Sequence, residues 1–247
     1  MPDECIHGFQ AGLCDTCFPK PVPVAVAAST TTTTRSRTTT TSRSTVSSRA
    51  DHKVGEQRIY HVTHIDNLPF IIDAGAVLAD QSPAVDISSA ETRDARRDTP
   101  IGDGVVADFV PFFLSPNATV WEALRSGRAD PRLSPEVRDI PAGEFVILVS
   151  TVKVASTMEV AVADGDAANT FTRFTAAADT NDRALRTLRA NDDAILGAEL
   201  LVKGLFPFEQ VSLIGVANDR ARDAVKQVLQ AAAHEPKVAV YPPWFGR

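Results

Sequence analysis

Ile59-Tyr60-His61-Val62-Thr63-His64-Ile65-Asp66-Asn67-Leu68 is the stretch around which the chain is organised. It opens with alternation and closes as a helix start. Ile59 reads as a buried strand position, with Val62 the second candidate. Asp66 or Asn67 can cap the run Leu68-Pro69-Phe70-Ile71-Ile72, and Gly75 can end it. A His-x-x-His pair therefore lies at a strand-to-helix junction, where polar side chains are easily aimed into a cleft. Side chains alternate along a strand, so His61 and His64 face opposite sides. His64 reads as a capping or structural residue.

The region before this stretch differs in composition from the region after it. All three cysteines lie in the first twenty residues, as Cys5-x-His7 and Cys14-x-x-Cys17. Three thiolates and one imidazole at this spacing suit the closed tetrahedron of a structural zinc site. An odd cysteine count argues against a disulfide framework. Residues 1–20 are accordingly expected to form a small Cys3His zinc module. Residues 21–54 follow as a Thr/Ser/Arg-rich linker, too poor in apolar residues to bury a core. Residues 1–50 carry five basic and three acidic residues, which leaves 20 basic against 28 acidic in the remainder. An acidic body is no general polyanion binder. Contact with nucleic acid must therefore be local or use the arginines of the tether. No uncharged apolar run reaches the ~18 residues needed to span a bilayer. The N-terminus also lacks the basic-then-apolar pattern of a secretory signal. A cytoplasmic protein without membrane association is expected.

Residues 55–247 read as one folded α+β domain. Gly75 to Ala79 reads as a short strand, and residues 86–97 as a ligand-facing loop or short helix. Val105 to Leu114 reads as a buried strand ending before Ser115-Pro116, and Thr119 to Arg125 as a short helix carrying Trp121. The clearest buried strand is Glu144 to Ser150. A polar stretch over 163–182 precedes a helix for which Asn181 or Asp182 is the expected cap. Ala198 to Val202 and Val211 to Val216 read as strands. Asp219 to Ala233 reads as an amphipathic helix, with Ala224, Val225, Val228 and Leu229 on one face. The prolines of the tail confine Val238 to Phe245 to a sheet edge. Six to eight strands and three or four helices are expected, with no internal repeat.

No phosphate-binding glycine loop, dinucleotide fingerprint or nucleophile elbow is present, and the body has no cysteine. The remaining chemistry-bearing residues are His61, His64, Arg93, Arg96, Arg97 and Glu199. Tyr60 to Leu68, Val110-Pro111-Phe112-Phe113 and Ala198-Glu199-Leu200-Leu201-Val202 together resemble the DarT family of DNA ADP-ribosyltransferase toxins. Asp164-Gly165-x-Ala167, Arg173-Phe174, Val238 and Trp244-Phe245 fit the same order. The resemblance covers about residues 56–247. The Cys/His head and the linker lie outside it.

The resemblance implies an ADP-ribosyltransferase-like fold, a split mixed β-core with flanking helices that grips NAD in a central cleft. It implies a pentosyl transfer, with ADP-ribose passing from NAD onto a base of single-stranded DNA. It also implies a toxin role and a macrodomain antitoxin as partner. Glu199 would be the catalytic carboxylate, stabilising the positive charge that develops on the ribose. His61 and Thr63 would bind NAD. Arg93 best fits the family's catalytic arginine, with Arg96 the rival and a further NAD-binding candidate, because a guanidinium suits a pyrophosphate. The loop before Glu199 would select the acceptor, with Phe171 and Phe174 for stacking, one of the two being core, and Arg173 for phosphate. Many relatives continue the Val-Pro-Phe strand with an Arg-Ser-Pro-Met-Leu-Tyr-like segment. Here Ser115-Pro116-Asn117-Ala118-Thr119-Val120-Trp121 stands instead, which makes Asn117 an acceptor candidate and leaves thymine or guanine open. Two other readings remain beside this one. One is transfer to RNA or protein at the same NAD site. The other is a non-enzymatic adaptor built on a degenerate NAD fold.

Overall fold

The chain divides into two units, Met1–Ala50 and Asp51–Arg247. The computed structural model describes residues 54–176 and 178–246, all within the second. The expected zinc ligands Cys5, His7, Cys14 and Cys17 lie outside the described residues, as does almost all of the linker. Among the described residues, no helix is long and apolar enough to cross a membrane.

In chain order, strand β1 (Arg58–His64) passes through a 3-10 turn (Ile65–Asn67) into helix α1 (Leu68–Ala74). Then come β2 (Ala76–Leu78), α2 (Ala90–Asp98), β3 (Pro100–Ile101), β4 (Gly104–Val105) and β5 (Phe109–Phe113). They are followed by α3 (Thr119–Ser126), β6 (Phe145–Thr151), α4 (Val152–Ala155), β7 (Val160–Ala163) and β8 (Phe174–Thr175). The C-terminal part contains α5 (Ala178–Arg189), α6 (Ala194–Gly197), β9 (Glu199–Lys203), β10 (Leu205–Pro207), β11 (Leu213–Val216), α7 (Asp219–Leu229) and β12 (Lys237–Val240). Eight of the strands form one sheet in the order β12-β11-β6-β1-β5-β9-β7-β8. Only β11 and β12 run parallel, so the sheet is mixed.

The sheet is nearly split at its centre. β1 pairs with β6 along all of its length, from Arg58–Thr151 to His64–Phe145. With β5 it pairs at one position, Tyr60–Phe113. Beyond that contact the two strands part. Pro111 explains how β5 tolerates this. Proline has no backbone N–H and is excluded from a fully paired central strand. Its carbonyl, which faces β1, is satisfied by the His61 ring instead of by a strand, with Nδ1 2.9 Å from the oxygen.

The main core lies against one face of the sheet. Val110, Phe112, Val146, Leu148, Leu200 and Val202 pack there under Leu68 and Ile71 of α1 and Val225 and Leu229 of α7. A smaller cluster on the other face holds Ile101, Val106, Phe109, Ala161 and Leu201. β6 is buried at six consecutive residues, which is why its sequence reads as an unbroken apolar run. At the C-terminus, Trp244 lies over Gly215 so closely that a Cβ there would stand 2.6 Å from the indole. Trp121 is fully buried and donates its indole N–H to the Trp244 carbonyl at 2.7 Å.

Several local expectations are corrected. Val62 is only half-buried. The apolar block 105–114 is not one strand, because a 3-10 turn (Val106–Asp108) separates β4 from β5. Neither Asp66 nor Asn67 caps α1 through its side chain. His64 caps the preceding turn instead, its Nδ1 accepting the Asp66 N–H, and Asn67 is used elsewhere. Gly75 does end α1, with φ 67° as a left-handed C-cap requires. α5 begins at Ala178, so Asn181 lies inside it and donates its side-chain amide to the Val160 carbonyl. α7 stops at Leu229 rather than Ala233. Val54 is already buried in the core, one residue before the expected start of the body.

Candidate active site

The opening between β1 and β5 continues into a cavity of about 380 Å³. That volume is within the usual range for a small-molecule site. His61, Val62 and Thr63 line it from β1, and Phe109, Pro111 and Phe113 from β5. Glu199 is directly opposite Phe113 in the neighbouring strand. Residues 77–88, the end of β2 and the loop after it, form a further wall, and α2 contributes Thr92, Arg93 and Arg96.

Glu199 opens β9 and is only 4% exposed. A carboxylate removed from water requires donors. Its Oε1 accepts the Ala167 backbone N–H at 3.0 Å, and its Oε2 accepts from Arg96 Nη1 at 3.1 Å. The other terminal nitrogen of Arg96, Nη2, is buried without a hydrogen-bond partner. That leaves one fixed donor for a ligand beside the carboxylate. Arg93 is in the same cavity but turns elsewhere. Its Nη1 lies 2.6 Å from Asp86 Oδ2 and 2.8 Å from the Ser88 carbonyl. The arginine that meets Glu199 is thus Arg96, while Arg93, the expected catalytic arginine, meets the loop that precedes its own helix.

α2 itself explains this assignment. None of its residues is buried, so it has no apolar anchor. The helix is held by its ends and its charges. Ser89 Oγ accepts the Thr92 N–H as an N-cap, a contact worth about 1 kcal/mol. Arg97 bonds Asp80 across the wall at 3.1 Å. Arg93, Arg96 and Arg97 are spaced i, i+3 and i+4, so they share one face. Only the docking of the helix decides which of them reaches β9.

His61 is held in one tautomer. Pro111 O can only accept, so Nδ1 carries the proton and Nε2 keeps its lone pair. Burial pushes the His61 pKa below its ordinary value, while the bond to the Pro111 carbonyl pulls the other way. A neutral ring with Nε2 as acceptor suits a sugar hydroxyl. Its neighbour on the chain, Tyr60, is buried edge-on to Trp244, and burial raises its hydroxyl pKa to about 12. His64 packs edge-on against Phe145 on the opposite face, as alternation predicts.

Asn67 holds the cavity wall together, a role that capping rules do not reveal. It is 4% exposed, and its side chain bonds both backbone groups of Val85. Its amide also reaches Thr63 Oγ1 at 3.0 Å. One side chain, 18 positions from Val85 in sequence, thereby pins the 77–88 wall to β1 through Thr63. Thr63 is buried and takes part as acceptor in that clamp as well as lining the cavity.

The acceptor candidates lie apart from the cavity. Residues 164–173 form a tight loop closed by Asp164, which accepts the Arg173 N–H on its carboxylate and donates its own N–H to the Arg173 carbonyl. Phe171 is 90% exposed on that loop, and the Arg173 side chain is exposed. Phe174 packs against the smaller core, so one of the two phenylalanines is core and the other is free. Asn117 is exposed and accepts from Arg125 at 3.3 Å. Neither Phe171, Arg173 nor Asn117 lines the cavity.

A split mixed sheet, with a carboxylate at the start of an inner strand and a neutral histidine across the split, defines an NAD-cleft ADP-ribosyltransferase class of fold. The family described as "ssDNA thymidine ADP-ribosyltransferase, DarT" matches residues 60–246, and the chain belongs to it. The DNA ADP-ribosyl transferase of Mycobacterium tuberculosis (strain ATCC 25618 / H37Rv) is 26% identical over 212 residues, covering 74% of this chain and 86% of that protein. The DNA ADP-ribosyl transferase of Thermus sp. (strain 2.9) is 27% identical over 205 residues, covering 76% and 95%. Two solved structures of the Thermus sp. 2.9 DarT superpose on the chain. The complex with NAD+ gives a TM-score of 0.61 at 25% identity, over 77% of this chain and 98% of that one. The complex with ADP-ribosylated ssDNA gives 0.66 at 24% identity, over 77% and 96%.

Proposed function

We propose that the chain is an NAD-dependent DNA ADP-ribosyltransferase that transfers ADP-ribose onto a base of single-stranded DNA. The observation that carries this reading is the buried Glu199 carboxylate, placed between the Arg96 guanidinium and the Ala167 N–H on the wall of the split. Family membership and the NAD+ and ssDNA complexes of the Thermus relative support it. The base is proposed to be the thymine of a thymidine, the acceptor in the family's description.

The residues perform the transfer by electrostatics and positioning. Breaking the nicotinamide–ribose bond releases neutral nicotinamide and leaves positive charge on the ribose. Glu199 stabilises that charge and can hold a ribose hydroxyl. His61 Nε2 accepts a hydrogen bond from a sugar hydroxyl of NAD, and Thr63 supports the same wall. Arg96 uses its free Nη2 for the pyrophosphate or for orienting the acceptor. A base nitrogen then bonds to the ribose carbon and loses its proton, so the products are nicotinamide, a proton and the modified base. Phe171, on its exposed loop, is the proposed stacking partner for an unpaired base, with Arg173 near the backbone phosphate. Arg93 is proposed to support the loop through Asp86.

The deciding experiment supplies labelled NAD with single-stranded DNA, RNA and protein separately, then identifies the modified nucleoside by mass. Label on a thymidine of DNA is expected. Label only on RNA, protein or water overturns the reading. Absence of any NAD binding by calorimetry would return the chain to the adaptor class. A macrodomain protein that removes the mark is proposed as the antitoxin partner, to be tested by its ability to restore unmodified DNA. The Cys5, His7, Cys14 and Cys17 set is proposed to hold about one zinc. Metal analysis of the full chain and of Cys14→Ser tests this, with loss of the metal in the variant expected.

A further inference from the structure

We propose that Arg132 is a positioning residue that couples the acceptor loop to the NAD cleft. The proposal rests on the reading of the cleft given above. Arg132 lies between α3 and β6 and lines the cavity. It is held by a planar fork, Nε and Nη2 donating to the two carboxylate oxygens of Asp130 at 2.8 and 2.7 Å. Its Nη1 is left to point across the cleft, 3.3 Å from Thr119 Oγ1 and 3.6 Å from Asp166 Oδ2.

Asp166 belongs to the loop 164–173, and its neighbour Ala167 donates the backbone N–H that holds Glu199. The backbone of Arg132 acts in the other direction. Its carbonyl accepts from the Ser89 N–H at 2.9 Å and from Thr92 Oγ1 at 3.3 Å. Those two residues form the N-terminal turn of α2, the helix that brings Arg96 to the other oxygen of Glu199. A bridge between Ser88 and Leu133 runs alongside. Arg132 is thus bonded to both of the elements that hold the catalytic carboxylate.

Charge bookkeeping separates this role from that of a phosphate anchor. The Arg132 guanidinium is set against two carboxylates, Asp130 and Asp166, so little of its charge is left over for a phosphate. The bond to Asp130 lowers the pKa of that carboxyl and raises that of Arg132, so the fork remains charged across any working pH. The Asp130 contacts are short and fix the arginine, whereas the Asp166 contact is longer. The loop is therefore the partner that can shift when a base arrives, and Ala167 transmits the shift to Glu199.

The test is a double-mutant cycle on the full chain with Arg132→Met and Asp166→Asn. Two rates are read for each protein: transfer to a single-stranded oligonucleotide, and nicotinamide release from NAD without DNA. Asp166→Asn keeps an oxygen for the Ala168 N–H, now accepted at 2.9 Å, so the turn survives. Each single change should lower the ratio of transfer to release by about fivefold to tenfold, the size of one coupled contact. The double variant should fall no further than the larger single. A purely structural role would lower both rates together and leave the ratio unchanged, and additive losses would also overturn the proposal. Should Arg132→Met fail to fold, Arg132→Lys takes its place in the cycle. Amide exchange across residues 164–173 provides a readout independent of activity, and faster exchange in either single variant is expected. A wild-type chain that transfers nothing to DNA would sink the functional reading, while unchanged exchange in the variants would sink the coupling.

Discussion

The two walls that enclose Glu199 and His61 are built by different means. On one side, β1 is paired with β6 along its whole length and backed by the main core. On the other, residues 164–173 are closed on themselves by Asp164, Arg173 and the turn at Asp166, and are joined to the rest of the site through the buried Ala167, its bond to Glu199 and one ion pair of 3.6 Å. A ladder distributes its restraint over many bonds, so no single substitution displaces it far. A loop held by a few contacts moves when one is lost. The proposed NAD side is thus pre-organised, and the proposed acceptor side is left adjustable, as suits a site that must hold one fixed substrate and admit a base from a flexible strand.

This contrast can be broken most severely at the residue both walls share. Glu199→Gln keeps the acceptor for Ala167 but removes the charge. Transfer to DNA should fall about 10²–10³-fold, measured as initial rate on an oligonucleotide, with the folded structure retained. Retention of full activity would show that another group carries the ribose charge.

The arginines come next. Arg96→Lys removes the guanidinium that meets Glu199, whereas Arg93→Lys loosens only the contacts to Asp86 and the Ser88 carbonyl. Transfer should fall about 10–100-fold in the first and by less than about tenfold in the second, since charge-assisted contacts to a buried group are the stronger ones. The reverse order would return the catalytic role to Arg93.

A smaller effect is expected at the clamp on the pre-organised side. Asn67→Ala leaves the Val85 groups and Thr63 without their partner. Unfolding should become easier by about 1–3 kcal/mol, followed by denaturant titration. KM for NAD should rise, while the ratio of DNA transfer to NAD hydrolysis should stay near that of the wild type. A change in that ratio would mean the wall also governs the acceptor.

The smallest effect is on pH dependence. Burial holds the His61 pKa below its ordinary value of 6.5, so folding favours the neutral ring. That contribution to stability is present above pH 6.5 and is lost as the pH falls below it towards the folded value, because the unfolded chain then binds the extra proton. Thermal unfolding of wild type and His61→Gln on acidification to about pH 5 checks the sign. The wild type should lose more stability over that interval than the variant. NAD binding should hold through that window and weaken only at still lower pH, where the folded ring itself takes a proton on Nε2 and has no lone pair to offer.

Much of the scaffold is legible in the amino-acid sequence. The apolar run of β6, the alternation around His61 and His64, the left-handed stop at Gly75 and the edge position of the proline-rich tail all follow from rules that act within a few residues. The site motifs are legible in part. Glu199 and His61, which the motifs single out, lie on the two sides of the split. Pro111 carries an unused signal, since a proline in so apolar a strand announces an edge or a break. Asn67 carries none, because its position before Leu68-Pro69 looks like an ordinary cap.

By itself the sequence determined most of the elements and the family, and singled out Glu199 and His61, because periodicity, turn chemistry and motif are properties of neighbouring positions. The tertiary structure decided which arginine meets the carboxylate. Arg93 and Arg96 lie one helical turn apart on one face, and the partner of either in the sheet is about a hundred positions away, 103 in the case of Arg96 and Glu199. No local rule reaches that far. The choice depends on how a helix without apolar anchors is docked, and that is set by Ser89, Asp86 and the Arg132 carbonyl acting together across the closed fold.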